Sequence, residues 1–235
     1  MQVDKINTSV SYTSRNCPIK PFSIKTPKGI LYCSEIDYDK KFDKSYYKKI
    51  AKFFIDIFAN TSSHPFWEKC RKPNLNFLIY RIYLRDTVSG YRMALKDPDT
   101  TMLFARDKEG RIKAGIFAKS LDTEAHVKEP RTLYIDSLAV DKEYRKSNVG
   151  KKLLQKVLNS SKHSFEDVFL VAYKESAPFY KKIGFKNTKN AQSESLDKLI
   201  KERLDYPDYA EFLEKSLNNT SGKKWYERAD EYMGY

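Results

Sequence analysis

The feature that most constrains this chain is an apolar strand pattern that leads through a short polar turn into an amphipathic helix. Residues 133–140, LYIDSLAV, have the composition of a buried strand. Apolar residues then recur at the spacing i, i+3, i+4, i+7 and i+8, which places them on one helical face. They are Gly150, Leu153, Leu154, Val157 and Leu158. A strand joined so closely to such a helix indicates an α/β layer.

Other apolar patterns extend this layer in both directions. They predict helices over Asp43–Ala59 and from Leu75 to about Gly90, a hairpin of Thr101–Arg106 with Ile112–Lys119, a strand over Asp167–Tyr173, a short helix over Ser176–Ile183 and a strand from Phe185. The order of elements is typical of a mixed α/β (α+β) fold.

The chain divides into three parts. Residues 1–28 contain Pro18, Pro21 and Pro27 without sustained periodicity, so we expect an N-terminal extension. Residues 29–190 form the main domain. Residues 191–235 show two helical patterns broken at Pro207, which predict a C-terminal helical appendix packed on the domain.

The cysteine and hydropathy patterns restrict the class of protein. Cys17, Cys33 and Cys70 lie far apart without a C-x-x-C spacing, so we expect neither a disulfide framework nor a metal site. No segment approaches the roughly 20 apolar residues that cross a bilayer. We therefore expect a cytoplasmic protein without a membrane partner.

The net charge of +13, from 44 basic and 31 acidic residues, suggests a polyanionic ligand or partner. Eleven basic and four acidic residues lie between Lys142 and Lys186, around the turn and the helix described first. Nucleic acid is a second explanation, because the chain also carries 17 Tyr, 14 Phe and 2 Trp. These aromatics fall largely at core spacing and no aromatic-basic recognition motif is present, so nucleic acid is disfavoured.

The turn before the helix has the chemistry of a phosphate cradle. A helix start offers free backbone N–H groups and a positive dipole end to an anion. The basic residues Arg145, Lys146, Lys151 and Lys152 bracket this start. Ser147, Asn148 and Gly150 would let phosphate oxygens approach the backbone closely. Neither the G-x-x-x-x-G-K-[ST] nor the G-x-G-x-x-G motif is present.

Two segments resemble motifs of the GCN5-related N-acetyltransferase (GNAT) superfamily. The signature R/Q-x-x-G-x-G/A falls on Arg145, Asn148 and Gly150, and Ala177–Phe185 is similar to the motif A-x-F-Y-x-x-x-G-F. Asn148 stands where the first signature glycine is usual. Asparagine is the non-glycine residue that best tolerates a left-handed backbone, so we expect the turn to keep its shape.

The resemblance implies a GNAT-type acyl-CoA N-acyltransferase fold with a central, mostly antiparallel sheet flanked by helices. It also implies acetyl-CoA as co-substrate and direct transfer of the acetyl group to a primary amine. Leu138, Ala139 and Val140 would pair with the pantetheine arm. The turn would hold the pyrophosphate through Arg145, Lys146, Ser147, Asn148, Val149, Gly150 and Lys151.

The same resemblance implies the catalytic residues. Tyr180 would give a proton to the departing thiolate, and Asp136 would lie on a proton path from the amine. A backbone N–H of Leu138 or Ala139 would meet the developing oxyanion. The amine, on a small molecule or a protein, would arrive from the side covered by the first two helices.

Two alternative functions and the role of the C-terminal segment stay open at this stage. The chain could bind CoA without catalysis, or it could acetylate an amine carried by aminoacyl-tRNA. The C-terminal helices could cap the acceptor pocket or form a homodimer contact.

Overall fold

One eight-stranded sheet organises the chain in a computed structural model, which describes residues 18–36, 44–61, 76–97, 99–122, 128–188 and 210–217. The strands are β1 (Phe22–Thr26), β2 (Gly29–Glu35), β3 (Thr101–Arg106), β4 (Ile112–Asp122), β5 (Lys128–Val140), β6 (Asp167–Tyr173), β7 (Lys186–Asn187) and β8 (Ala210–Ser216). The helices are α1 (Lys44–Thr61), α2 (Asn76–Ala94), α3 (Val149–Ser161) and α4 (Ala177–Lys181), and a 3₁₀ turn spans Lys142–Tyr144.

The strand order across the sheet is β1-β2-β3-β4-β5-β6-β8-β7. All neighbouring strands are antiparallel except β5 and β6, which run parallel. The parallel pair is possible because α3 forms the crossover between these two strands. The predicted mixed α/β fold with a mostly antiparallel sheet is confirmed.

Helices cover both faces of the sheet. Tyr47, Ile50 and Phe54 of α1 are at most 1% exposed and pack with α2 on one face. Leu153 and Leu154 of α3 are fully buried on the other face. Successive strand residues point to opposite faces, so the sheet contributes side chains to both cores.

The N-terminal boundary predicted at residue 28 falls inside the sheet. β1 pairs with β2 from Phe22 with Cys33 to Thr26 with Gly29, and Ile24 is fully buried. This strand has only five residues and lies between Pro21 and Pro27. Its apolar pattern is therefore too short to be distinguished from a loop in the sequence. The sheet therefore begins at Phe22, and residues 1–17 lie outside the described part of the chain.

The predicted C-terminal helical appendix is wrong over residues 210–216, which form β8. This strand lies between β6 and β7, with Leu170 opposite Leu213. Phe212 stacks on Phe169 with ring centroids 6.4 Å apart, whereas Leu213 enters the core on the α3 side. Adjacent apolar residues fit a helical face as well as a strand that is buried on both faces. Here the segment forms a strand because the edge of β6 is open and offers it backbone partners. The rest of residues 191–235 lies outside the described ranges.

Most other predicted elements are confirmed with shifted ends. α2 continues past Gly90 to Ala94, and β5 begins at Lys128 rather than Leu133. Residues 62–74 and 123–127, which lie between predicted elements, are outside the described ranges. No helix in the described ranges has the length and hydropathy needed to cross a membrane.

Candidate functional site

β5 and β6 pair along only part of their length. The parallel register runs from Thr132 with Asp167 to Ile135 with Leu170 and then stops. Beyond that point β5 continues along β4 as far as Val140, while β6 continues along β8 as far as Tyr173. The two strands therefore diverge and open a gap in the middle of the sheet.

The backbone of β5 presents hydrogen-bonding groups to this gap. The Asp141 N–H donates to the Lys113 carbonyl at 2.8 Å, which marks residues 113 and 141 as a hydrogen-bonded antiparallel pair. Because such pairs alternate along the ladder, Ala139 faces β4 and its partner Gly115. The backbone groups of Leu138 and Val140 point away from β4, toward the gap.

A β-bulge displaces Asp136 at the point where the strands diverge. Phe117 pairs with Ser137 and Ala118 pairs with Ile135, so Asp136 is the extra residue of β5. Its side chain is exposed, and its Oδ1 accepts a hydrogen bond from the Ser137 Oγ at 2.7 Å. The bulge thereby places a carboxylate in the gap.

The turn between β5 and α3 contains two left-handed residues. Lys146 has φ 63°, and Asn148 has φ 60° and ψ 10°, so the expected left-handed backbone at Asn148 is confirmed. The first bond within α3 runs from the Lys152 N–H to the Asn148 carbonyl at 3.0 Å. The N–H groups of residues 149–151 thus have no carbonyl partner inside the helix and lie at its positive end.

Gly150 allows α3 to start directly against the sheet. A Cβ at this position would lie 3.2 Å from Val140 Cγ2 and 3.7 Å from Phe179 Cζ. The Arg145 Nε donates to the Val140 carbonyl at 3.1 Å and ties the turn to the end of β5. A small residue is therefore needed here for the free N–H groups to lie beside the gap.

A cavity of about 830 Å³ joins the gap, the turn and α4. It brings together all the predicted site residues except Ser147. The members that line it are Asp136, Leu138, Ala139, Val140, Arg145, Lys146, Asn148, Val149, Gly150, Lys151 and Tyr180. Ser147 lies in the same turn but does not line the cavity.

Tyr180 reaches the cavity from α4. Its ring packs edge-on against Phe179 at 5.0 Å and Phe185 at 5.8 Å, and the residue is only 8% exposed. Burial raises the pKa of its hydroxyl well above the usual range, so the group is protonated at neutral pH. No described residue hydrogen-bonds this hydroxyl, which leaves its proton available to a ligand.

The charge in the cavity is strongly uneven. Arg145, Lys146 and Lys151 surround the helix start, and Lys182 follows α4. Asp136 and Glu175 are the carboxylates among the described lining residues. The end at the turn therefore favours an anionic ligand.

A comparison with protein families identifies this arrangement. Residues 84–197 match the model of the acetyltransferase (GNAT) domain. The chain carries a GNAT domain. The match runs from α2 past β7 and so includes the diverging strands, the turn and Tyr180. No curated protein matches the sequence.

Solved structures with the GNAT fold resemble the chain at low sequence identity. A GNAT-family acetyltransferase from Staphylococcus aureus Mu50 is 19% identical, with 79% of this chain and 99% of that chain covered and a TM-score of 0.52. A phosphinothricin acetyltransferase from Sinorhizobium meliloti, solved in complex with AcCoA, is 12% identical, with 83% and 92% covered and a TM-score of 0.52. These similarities confirm the fold.

Several residues outside the matched segment 84–197 also line the cavity and were not predicted to do so. They are Ile57 and Phe58 of α1, Tyr83 of α2 and Ala210 of β8. The α1 and α2 residues belong to apolar stripes that the sequence assigns to the core. No sequence pattern indicated that Ala210 lines the cavity, because its segment was expected to be helical.

Proposed function

We propose that this chain is an N-acetyltransferase that moves the acetyl group of acetyl-CoA to a primary amine. The observation that carries the proposal is one cavity in which the helix-start N–H groups, the free edge of β5 and the Tyr180 hydroxyl meet. These are an anion site, a partner for amides and a proton donor. In acetyl-CoA, the pyrophosphate needs the anion site, the pantetheine arm needs the partner for its amides, and the thioester needs the proton donor.

The residues of the turn fit the phosphates of acetyl-CoA. Left-handed Lys146 and Asn148 turn successive backbone N–H groups toward one side, a geometry that favours anion binding. Arg145 and Lys151 add positive charge at the same place. The complex of the Sinorhizobium meliloti relative with AcCoA supports this assignment.

Bound acetyl-CoA would supply the thioester that the amine attacks and the thiol that leaves. Asp136 would accept the proton of the acceptor ammonium and so free the nitrogen lone pair. The Leu138 N–H, which points into the gap, would donate to the carbonyl oxygen as negative charge develops there. Once the C–N bond has formed, the nitrogen would release its second proton to solvent. Tyr180 would protonate the sulfur as the C–S bond breaks, and solvent would reprotonate its hydroxyl.

The acceptor would enter at the end of the cavity formed by the two N-terminal helices. Ile57, Phe58, Tyr83 and Tyr134 line that end together with Asp136. Aromatic and aliphatic side chains favour an amine carried on an apolar stem, because they offer few partners to a polyhydroxylated body. We therefore expect arylalkyl and alkyl amines to react better than amino sugars.

The direct test combines binding with turnover. Calorimetry should detect acetyl-CoA binding, and a panel of an arylalkyl amine, a polyamine, an aminoglycoside and a lysine peptide should release free CoA thiol in at least one case. Tyr180→Phe should lower kcat by about 100-fold with the Kd for acetyl-CoA unchanged. Tyr32→Phe, at an exposed tyrosine outside the cavity, is the matched control.

The results separate the alternatives. Binding without thiol release from any amine would favour a CoA-binding protein without catalysis. Equal loss of binding and turnover in Tyr180→Phe would contradict its role as the acid. Folded protein that does not bind acetyl-CoA at millimolar concentration would refute the proposal as a whole.

A further inference from the structure

Strand β8 lies outside the segment that matches the GNAT domain, yet two of its charged residues contact the structure that carries Tyr180. We infer that Glu211 and Lys215 are positioning residues, which hold α4 and the α4 turn (residues 182–185) so that the Tyr180 hydroxyl stays at the cavity. The inference rests on the proposed function, in which Tyr180 is the acid. Neither Glu211 nor Lys215 lines the cavity.

The helix that carries Tyr180 is too short to be stable by itself. α4 has five residues, Ala177–Lys181, and isolated helices shorter than about 12–15 residues are marginal in water. The rings that pack edge-on against Tyr180 belong to Phe179 of α4 and Phe185 of the α4 turn, so they would move together with it. The position of Tyr180 therefore depends on contacts between this segment and the rest of the protein.

β8 presents three alternate residues to this segment. Glu211, Leu213 and Lys215 occupy every second position of the strand and so point to one face of the sheet. Leu213 belongs to the same buried cluster as Tyr180 and Phe185, which identifies the face that α4 covers. The two charged residues therefore lie on either side of an apolar contact in the middle of the strand.

Glu211 holds the end of the helix. Its Oε2 pairs with the Lys181 Nζ at 2.5 Å and accepts a hydrogen bond from the Asn187 Nδ2 at 3.0 Å. Lys181 is the last residue of α4 and Asn187 belongs to β7, so one carboxylate oxygen joins the elements on both sides of the α4 turn. The Glu211 side chain is only 22% exposed, which limits the screening of this pair by water.

Lys215 holds the α4 turn itself. Its Nζ donates to the Ile183 carbonyl at 2.6 Å and lies 6.0 Å from the centroid of the Phe185 ring. Between these residues Gly184 has φ 95°, and a Cβ there would lie 3.3 Å from the same Nζ. The Ile183 and Phe185 N–H groups donate to the Tyr180 carbonyl at 2.9 and 3.2 Å. A displacement of the turn would therefore reach Tyr180 through its backbone as well as through the Phe185 ring.

Lys215→Met tests the inference, because methionine keeps most of the apolar stem and removes the ammonium. Hydrogen exchange at the Ile183 and Phe185 amides should become about tenfold faster, since the turn loses a hydrogen bond from a charged donor. Lys215→Arg keeps a cationic donor and should restore most of the protection. Lys25→Met is the matched control and should leave the exchange unchanged, because Lys25 is an exposed strand lysine of β1, at the other end of the sheet.

Turnover distinguishes positioning of the acid from general stabilisation. Lys215→Met should lower kcat by about tenfold and leave the Kd for acetyl-CoA unchanged, because Lys215 does not line the cavity. In the Tyr180→Phe background the same substitution should lower kcat no further, since the hydroxyl that it positions is gone. A contact that only stabilises the fold would lower kcat equally in both backgrounds, and that result would overturn the inference.

Hydrogen exchange needs no acceptor amine and so separates this inference from the proposed function. Faster exchange in Lys215→Met, with no acetyl transfer by the wild type, would refute only the proposed function and would still support the contacts from β8. Exchange equal to that of wild type would overturn the inference. If Lys215→Met does not fold, Glu211→Gln decides, because it keeps an acceptor oxygen and removes the charge. Exchange at Gly184, whose N–H donates to the Lys181 carbonyl, should then rise about threefold, and unchanged exchange would again overturn the inference.

Discussion

Replacing Asn148 with alanine should destabilise the protein, although alanine is the best helix former and Asn148 adjoins a helix. Asn148 precedes α3 with φ 60° and ψ 10°, and its side chain makes no capping hydrogen bond there. The substitution therefore removes no cap. It changes only how well the residue tolerates a left-handed backbone.

The magnitude follows from that conformation. A residue with a Cβ pays about 1–2 kcal/mol in the left-handed region, and asparagine pays less because its short polar side chain bonds locally. We expect Asn148→Ala to lower the free energy of unfolding by about 1 kcal/mol. For a chain of this size the melting temperature should fall by about 2–4 °C.

A second asparagine provides the control. Asn159 is exposed inside α3, where the backbone is right-handed. Asn159→Ala should stabilise the protein by a few tenths of a kcal/mol, because alanine has the higher helix propensity. The same substitution thus has opposite signs at two positions only eleven residues apart.

Thermal unfolding and urea titration measure both variants, and Asn148→Gly completes the series. Glycine pays no penalty for the left-handed backbone but loses more entropy on folding, so its stability should stay within about 1 kcal/mol of wild type. If Asn148→Ala were as stable as Asn159→Ala, the left-handed turn would not be the conformation of the folded protein. The assignment of the anion site would fall with it.

Four further outcomes are expected. Gly150→Ala should weaken acetyl-CoA binding by about tenfold in calorimetry, because a methyl 3.2 Å from Val140 Cγ2 pushes the start of α3 away; unchanged affinity would contradict this packing. Leu213→Ala should cost about 2–5 kcal/mol in urea unfolding, since this side chain of β8 is fully buried, and a loss below 1 kcal/mol would argue against the strand. Lys151→Ala should make acetyl-CoA affinity less dependent on salt, and an identical salt dependence would remove Lys151 from the phosphate site. Burial raises the pKa of Cys33 to about 12, so mass spectrometry after brief alkylation at pH 8 should find this thiol unmodified in the folded state, and rapid labelling would oppose a buried thiol.

The elements that depend on local contacts could be predicted from the sequence. The hairpin of β3 and β4 is fixed by its own turn, where Asp107 Oδ1 accepts from the N–H groups of Glu109 at 3.1 Å and Arg111 at 2.9 Å. Gly110 supplies the left-handed residue with φ 77°. Such bonds need nothing from the rest of the chain, so the residue types reveal the turn.

Most of the predicted site residues are likewise close to one another in the sequence. Asp136 to Gly150 lie within one strand, one turn and the start of one helix, so a short sequence signature describes them. Tyr180 follows in a second short segment. Their convergence on one cavity needs only the right order of strands.

What the sequence could not provide depends on distant partners. β8 is a strand because β6 offers an open edge about 40 residues earlier, whereas its own residues fit a helical face equally well. Tyr91 has the spacing of an ordinary core aromatic. Its edge-on contact with Phe117, at 5.1 Å between ring centroids, depends on how α2 packs on the sheet, which no residue type marks.

The position of β8 has a consequence for biosynthesis. When Tyr173 has left the ribosome, β6 and its apolar run VFLVAY can already pair with β5, but no residue of β8 has yet emerged. At 5–20 residues per second, Ser216 follows about 2–9 seconds later. During that interval the nascent chain exposes an apolar strand edge of the kind that recruits other strands. Aggregation during translation, rather than loss of the finished fold, is the hazard that this topology creates.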